Sequence, residues 1–312
     1  MEIRGLIPAT VTPFSDDGSV DYEDLVRHIT QVASAEGVFG VAVNGHAGEI
    51  LTLSAEERAG IVAAARECLP AHLKVFAGIE AHDPEALVRD GLSAREAGAD
   101  GLLVLPPFDI RPYRRLAQCP EAVFSVFQRL DREVGLPMIV FQYPDYSGCA
   151  YTVEVLLRLA ELPNVVGIKV ATGDITRYVE IYNALHDRVA ILPASDAPPL
   201  LAMLLHGAHG ALIGISVVGT PAWSELVREA TVGSAQRAKE IFHSVCLPLM
   251  QAIFENQQPK SFVNPFAATK EALFQLGHLR SARMRPPSIS PDEARKEVIG
   301  AALVESGLGS KM

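Results

Sequence analysis

The stretch NVVGIKVATGD, residues 164–174, sets one lysine inside an apolar run. Val165, Val166, Ile168 and Val170 surround Lys169, and no acid follows until Asp174. A short β-branched run of this kind reads as a strand, and side chains alternate along it. Val165, Gly167 and Lys169 therefore share one face, while Val166, Ile168 and Val170 form an all-apolar face suited to packing on helices. The glycine leaves room beside the lysine, which points Lys169 toward the inside of a closed sheet.

Working outward, seven more runs have strand character: GLIPATVT (5–12), VFGVAVNG (38–45), KVFAGIE (74–80), GLLVLPP (101–107), PMIVFQY (137–143), VAILPAS (189–195) and GALIGISV (210–217). Amphipathic stretches such as DYEDLVRHITQVASAEG (21–37) and DPEALVRDGLSAREAGAD (83–100) lie between them. Several open on Asp or Ser and stop at a glycine, as helix ends do. In LSAEER (53–58), Ser54 with Glu57 three residues on predicts a capping box. Eight strands alternating with helices predict an α/β fold, a (β/α)8 barrel, with active-site groups at the C-terminal strand ends. A doubly wound open sheet is the rival, but no Gly-rich dinucleotide loop follows the first strand. After GTPAW (219–223) the strand pattern stops. The expected organisation is a barrel over 1–223 and a helical region over 224–312 packed on it, with a last helix after MRPPSISP and a frayed ESGLGSKM end.

A chain of 312 residues, 49% apolar, has ample material for one large core. The formal net charge of −10 and the scatter of basic residues argue against nucleic acid or an anionic membrane as partner. Small anionic substrates would have to be held by local groups. Cys68, Cys119, Cys149 and Cys246 show neither metal spacing nor a secreted framework and read as reduced thiols. No apolar run of about 18 residues appears, and the start of the chain has no secretory h-region. A cytoplasmic protein is expected. No metal-ligand constellation is present in the sequence, so neither metal nor cofactor is expected.

An apolar surround disfavours the ammonium and depresses a lysine pKa, which raises the neutral amine fraction near pH 7. A neutral amine attacks a ketone to give a Schiff base, whose protonated form withdraws electrons and eases C–C cleavage or loss of a β-substituent. The bland alternative is a lysine that snorkels to solvent or pairs with an acid at the strand end. Spacing alone leaves both open.

Six landmarks then occur in order: IPATVTPFSDDGSVD (7–21), GHAGE (45–49), LSAEER (53–58), AGADGLLVLPP (97–107), GIKVATGD (167–174) and NPFAATKEALFQLG (264–277). Together they resemble the dihydrodipicolinate synthase/N-acetylneuraminate lyase family of Schiff-base-forming lyases over nearly the whole chain. The resemblance implies a barrel with a C-terminal helical extension and Lys169 as the Schiff-base lysine. It also implies a 2-keto acid such as pyruvate as substrate or product, and a homotetramer built as a dimer of dimers. Backbone amides of Gly45, Ala47 and Gly48 would hold the keto-acid carboxylate, since oriented amides at a turn bind an anion whatever the side chains. Thr10, Phe141, Tyr146, Thr172 and Ile213 complete the substrate-binding expectation.

The departures from the family pattern concern the hydroxyl relay. The usual Gly-Thr-Thr-Gly-Glu loop is here Gly45-His46-Ala47-Gly48-Glu49. The strand-five tyrosine aligns with Phe141, the subunit-crossing tyrosine after strand four with Phe108, and the arginine that binds a second substrate's carboxylate with Tyr146. A ring without a hydroxyl neither donates nor relays a proton. This argues against a dihydrodipicolinate synthase proper. His46, expected to titrate near neutrality, and Tyr143, one layer outward of Phe141, could rebuild the relay; their bland readings are a solvent-facing loop residue and core filling. Some family members that dehydrate 2-keto-3-deoxy sugar acids also lack the strand-five tyrosine. Thr12, Asn44, Glu80, Ser195, Asp196 and Ser216 are weaker candidates for the mouth, and Glu49 reads as a loop-shaping acceptor. The competing reading is a non-catalytic barrel that binds a keto acid. Phe108 and Tyr113 are expected to meet a second subunit.

Overall fold

The computed structural model describes residues 1–111, 113–255 and 264–309. Its eight parallel strands are β1 (Gly5–Pro8), β2 (Gly40–Val43), β3 (Lys74–Ile79), β4 (Gly101–Val104), β5 (Met138–Gln142), β6 (Val165–Val170), β7 (Ala190–Pro193) and β8 (Gly210–Ile213). Each falls inside one of the runs read from the sequence, trimmed where the chain turns out of the ladder. Strands β2 through β7 form one sheet in sequence order, and β1 pairs with β8. Bridges Leu6–Val38 and Ala9–Ala42 join β1 to β2. Between β7 and β8 the amide of His209 donates to Ile191 O at 3.1 Å, while the Ile191 amide donates to His209 Nδ1, also at 3.1 Å. A side chain thus fills a ladder position, and the curled sheet is a (β/α)8 barrel.

Helices α1 (Tyr22–Ala33), α2 (Ala55–Cys68), α3 (Pro84–Glu96), α4 (Pro120–Glu133), α5 (Val153–Leu159), α6 (Ile175–Leu185), α7 (Pro199–His206) and α8 (Thr220–Thr231) surround the strands. Their starts are chemically marked. Asp21, Asp83, Thr152 and Asp174 accept first-turn amides, and Ser54 and Glu57 form the predicted capping box. The barrel boundary drawn at 223 falls inside α8, where Trp223 is buried and Ser224 Oγ donates to Glu36 O at 2.5 Å. The tryptophan of GTPAW, after which the strand pattern stops, belongs to the eighth barrel helix. Helical periodicity simply continues there, so composition gives no break.

Beyond it lie α9 (Ala235–Ile241), α10 (Leu247–Met250), α11 (Pro265–Gln275) and α12 (Glu293–Glu305). The ESGLGSKM segment is anchored further than expected: Leu308 and Gly309 amides both donate to Leu303 O, and its last three residues lie outside the described ones. None of the described helices is long and apolar enough to cross a membrane.

One buried cluster fastens this helical region to the barrel. Lys270 Nζ on α11 donates to Glu49 Oε1 at 2.5 Å and to Arg283 O at 2.8 Å. The Arg285 amide donates to Glu49 Oε2 at 3.1 Å, and its guanidinium grips both oxygens of Glu57. The Phe14 ring underlies both cations, 4.3 Å from Lys270 Nζ and 4.5 Å from Arg285 Cζ. Burial pulls the Lys270 ammonium down to about 8, and Glu49 opposes that fall. Removing one member of such a pair strands the other charge. Lys270→Met is therefore expected to destabilise the chain by about 3–5 kcal/mol in chemical denaturation, and adding Glu49→Gln should recover part of the loss.

Candidate active site

Lys169 lies in β6, in register with Phe141 on β5 and Leu192 on β7. Register partners face the same way, and Gly167, two residues earlier, stands beside Ile139, Leu103 and Gly78 in the row below. The lysine is 8% exposed, and its Nζ sits 3.9 Å from the centroid of the Phe141 ring. Among the described residues no carboxylate pairs with it. Burial pulls its pKa down to about 8, while Asp196 holds it from falling further. That value leaves roughly a tenth of the amine neutral at pH 7, hundreds of times the fraction of an ordinary lysine. Asp196 follows β7 and accepts the Ile215 amide at 2.9 Å; burial raises its carboxyl above the usual range.

Three rings stand together beside the amine. Phe141 and Tyr143 meet edge to face with centroids 4.7 Å apart, and His46 lies 5.4 Å from each. Tyr143 Oη and His46 Nε2 share a 2.6 Å hydrogen bond. The pair expected to rebuild a relay is thus brought into contact. The near-neutral titration expected of His46 is corrected, because burial, aided by the Lys169 charge, pulls it down to about 4. At neutral pH the imidazole is uncharged, with one ring nitrogen donating and one accepting. Burial pushes the Tyr143 phenol far above its ordinary value, and the nearby Glu80 and Asp109 add to the rise.

The 44–49 loop is built for close approach. Asn44 and Glu49 both adopt positive φ, 55° and 58°. A Cβ on Gly78 would stand 2.0 Å from Asn44 O, so β3 must carry glycine where the loop crosses it. Thr12 Oγ1 supports the loop from behind by donating to Gly48 O at 2.8 Å, and Asn44 Nδ2 donates to Arg58 O at 2.9 Å. The Glu49 amide closes on His46 O and the Ile50 amide on Gly45 O. This turn is pinned at Glu49 by Lys270 and the Arg285 amide.

The remaining predicted residues divide. Thr10 is buried and donates to Ala42 O, so it serves the β1–β2 seam. Ile213 is buried at the end of β8, where its carbonyl accepts the Ala9 amide and Ser216 Oγ. Thr172 Oγ1 accepts the Asp174 amide and shapes the turn after β6. Tyr146 is not brought to the cluster: at 92% exposure it projects from the turn Asp145–Ser147. The turn carries the chain outward there, so counting from Pro144 misplaces the side chain. Lys270 and Arg285, which hold the loop, were missed because nothing local in their sequence marks a partner more than 200 positions away.

Comparison with known proteins bears on this arrangement. Residues 2–306 match the model of the dihydrodipicolinate synthetase family. A 4-hydroxy-tetrahydrodipicolinate synthase of Methanothrix thermoacetophila is 32% identical, over 82% of this chain and 83% of that protein. One from Neisseria meningitidis serogroup B is 28% identical over 98% and 99% of the two chains. Among solved structures, dihydrodipicolinate synthase from Aquifex aeolicus superposes with a TM-score of 0.85 at 27% identity, covering 98% of this chain and 99% of that one. The chloride-inhibited enzyme from Acinetobacter baumannii, complexed with pyruvate, gives 0.86 at 27% identity over the same shares. With the barrel, the buried strand-six lysine and the full-length match all in place, the chain belongs to the dihydrodipicolinate synthetase family of lyases.

Proposed function

We propose that the chain is a Schiff-base lyase that binds a 2-keto acid, pyruvate or a 2-keto-3-deoxy sugar acid, covalently at Lys169. It works by aldol cleavage or dehydration, not by the condensation that names its curated relatives. The carrying observation is the Lys169 amine itself, buried on a barrel strand, set against an aromatic face and held near pKa 8 without a paired carboxylate. The neutral amine attacks the keto carbon, water leaves, and the protonated imine draws electrons from the neighbouring carbon. Ala47 and Gly48 amides receive the substrate carboxylate. Tyr143 donates to or accepts from the reacting oxygen while His46 exchanges the same proton across their 2.6 Å bond.

The case against the relatives' own reaction is the loss of hydroxyl groups. Phe141 offers a ring under the amine where a phenol would offer a proton, and Tyr146 lies on the surface where a guanidinium would bind a second carboxylate. Phe141 supplies no donor, and the Tyr146 hydroxyl, on an exposed turn, brings no positive charge to a second carboxylate.

Borohydride reduction in the presence of pyruvate should add one reduced keto acid to the intact mass, and Lys169→Ala should abolish the adduct. No adduct with pyruvate or any 2-keto-3-deoxy acid would favour a keto-acid-binding barrel without catalysis. Because the free amine is the nucleophile, the initial trapping rate should climb with pH and reach half its maximum near 8, the value burial gives Lys169. Tyr143→Phe should leave trapping largely intact yet lower steady-state turnover by about a hundredfold, as loss of a proton-transfer group does.

We further propose a homotetramer assembled as a dimer of dimers. After β4, Ile110, Tyr113 and Leu116 are exposed beside the nearly buried Phe108, an apolar surface that a second copy would cover. Light scattering at micromolar concentration should report a dimer or tetramer, and a monomer would remove this part of the reading.

A further inference from the structure

Glu80 and Tyr143 occupy matching places: each is the first residue past its strand, β3 and β5. The register Gly78–Leu103–Ile139–Gly167 defines a row facing the barrel interior. Glu80 lies two positions beyond Gly78, as Lys169 lies two beyond Gly167, and Tyr143 lies four beyond Ile139. All three keep the inward parity: Glu80 falls in the row of Phe141 and Lys169, and Tyr143 lies one layer further toward the mouth.

The carboxyl of Glu80 has no structural employment. Its Oε2 is buried without a hydrogen-bond partner among the described residues, while the side chain as a whole is only partly covered. The α3 cap is Asp83, which accepts the Ala86 amide. Arg58, on α2, already donates to both oxygens of Asp90 at 2.9 and 3.0 Å. His82, on the same loop, turns its Nδ1 to Pro107 O at 3.3 Å. An unpartnered carboxyl sealed on one side costs free energy that a purely structural glutamate would avoid by turning to water.

Four charged or titratable groups interact electrostatically with it: Tyr143 after β5, Asp109 after β4, Arg58 on α2, and His82 on its own loop. Burial raises the Glu80 pKa and Asp109 adds to it; His82 and Arg58 act the other way without cancelling the rise. The carboxyl is therefore biased toward its protonated form beside a phenol that is itself held protonated.

Resting on the Schiff-base reading above, we propose that Glu80 is the general acid that protonates the hydroxyl leaving from C4 of a 2-keto-3-deoxy acid bound to Lys169, so that the site's reaction is dehydration. In the imine, the C3 proton passes to the Tyr143–His46 pair and its electron pair forms the enamine. The enamine electrons return, the C4–O bond breaks, and the oxygen departs as water with the Glu80 proton. Hydrolysis of the conjugated imine frees an α,β-unsaturated keto acid and the Lys169 amine, and solvent returns the C3 proton to Glu80. An acid placed to give up its proton favours this path over retro-aldol cleavage, which needs a base to take the C4 hydroxyl proton.

The test compares the native enzyme with Glu80→Gln and Glu80→Asp. Pyruvate trapping is read first by intact mass; turnover of 2-keto-3-deoxygluconate and 2-keto-3-deoxyglucarate is then followed as loss of one water. The native enzyme should dehydrate at least one of these acids, with kcat falling as pH rises through the raised Glu80 pKa. Glu80→Gln should trap pyruvate within about twofold of native but dehydrate about a hundredfold more slowly, without that alkaline fall, and Glu80→Asp should restore part of the rate. The proposal is overturned if Glu80→Gln dehydrates within about threefold of native with an unchanged pH profile. It is equally overturned if the native enzyme traps pyruvate yet dehydrates neither acid, an outcome that leaves the Schiff-base reading standing. A native enzyme that traps no keto acid overturns both.

Discussion

The contact on which the site depends is remote from the amine: the buried pairing of Glu49 with Lys270. The loop from Asn44 to Glu49 begins and ends in the left-handed region, a conformation that costs non-glycine residues free energy. Something must over-determine it, and the partners are Lys270, the Arg285 amide and the Phe14 face. A buried ion pair adds little net stability compared with apolar packing, but it fixes geometry here because Arg283 O also holds Lys270 and the Arg285 amide also holds Glu49. The C-terminal helices thus act on the barrel mouth at one point. They hold the end of the 44–49 loop, and through Arg285 and Glu57 they also hold the capping box that opens α2.

Within the mouth a single physical cause has opposite effects on different groups and one common outcome. Exclusion of water lowers Lys169 and His46 and raises Tyr143, Glu80 and Asp196. Every shift favours the uncharged form. Lys169 is held closest to its charged state because Asp196 opposes burial there. At about 8, Lys169 is still mostly protonated at pH 7, so the site keeps one cation among groups shifted toward neutrality, and local groups of this kind would suffice to hold the anionic keto acid proposed above. A net charge of −10 on the chain is no obstacle when binding is this local.

The sequence made the barrel legible because each buried parallel strand is a short apolar run between marked helix starts, and those signals are local. Lys169 was legible for the same reason: a lone cation in VVGIKVA contradicts its surroundings. The pairing of His46 with Tyr143 was partly visible, since both fall at strand ends that a closed barrel brings together. The lowered pKa of His46 was not, because burial depends on how three rings pack and no periodicity reports that. The exposure of Tyr146 was not visible either, because it follows from the turn Asp145–Ser147 that carries the residue. Lys270 and Arg285 were invisible as partners of Glu49, for their contact is set by the docking of the whole helical region.

The position of the phenol carries the chemical argument furthest. With Phe141 beside the amine, no hydroxyl sits at the amine's level on β5; the phenol belongs to Tyr143, two residues on, whose ring centroid is 4.7 Å from that of Phe141. On the reading proposed above, proton transfer would be moved from the carbon that binds lysine toward the outer carbons of the substrate. A short acid such as pyruvate has little beyond its keto carbon to present there, whereas a longer hydroxylated keto acid would reach the Tyr143–His46 pair. The aromatic face left under the amine has its own consequence, because a cation over a ring is stabilised without a countercharge. A protonated imine formed at Lys169 keeps that support after the amine is consumed. The same exchange that removes one proton donor therefore favours the cationic intermediate on which any later bond cleavage depends.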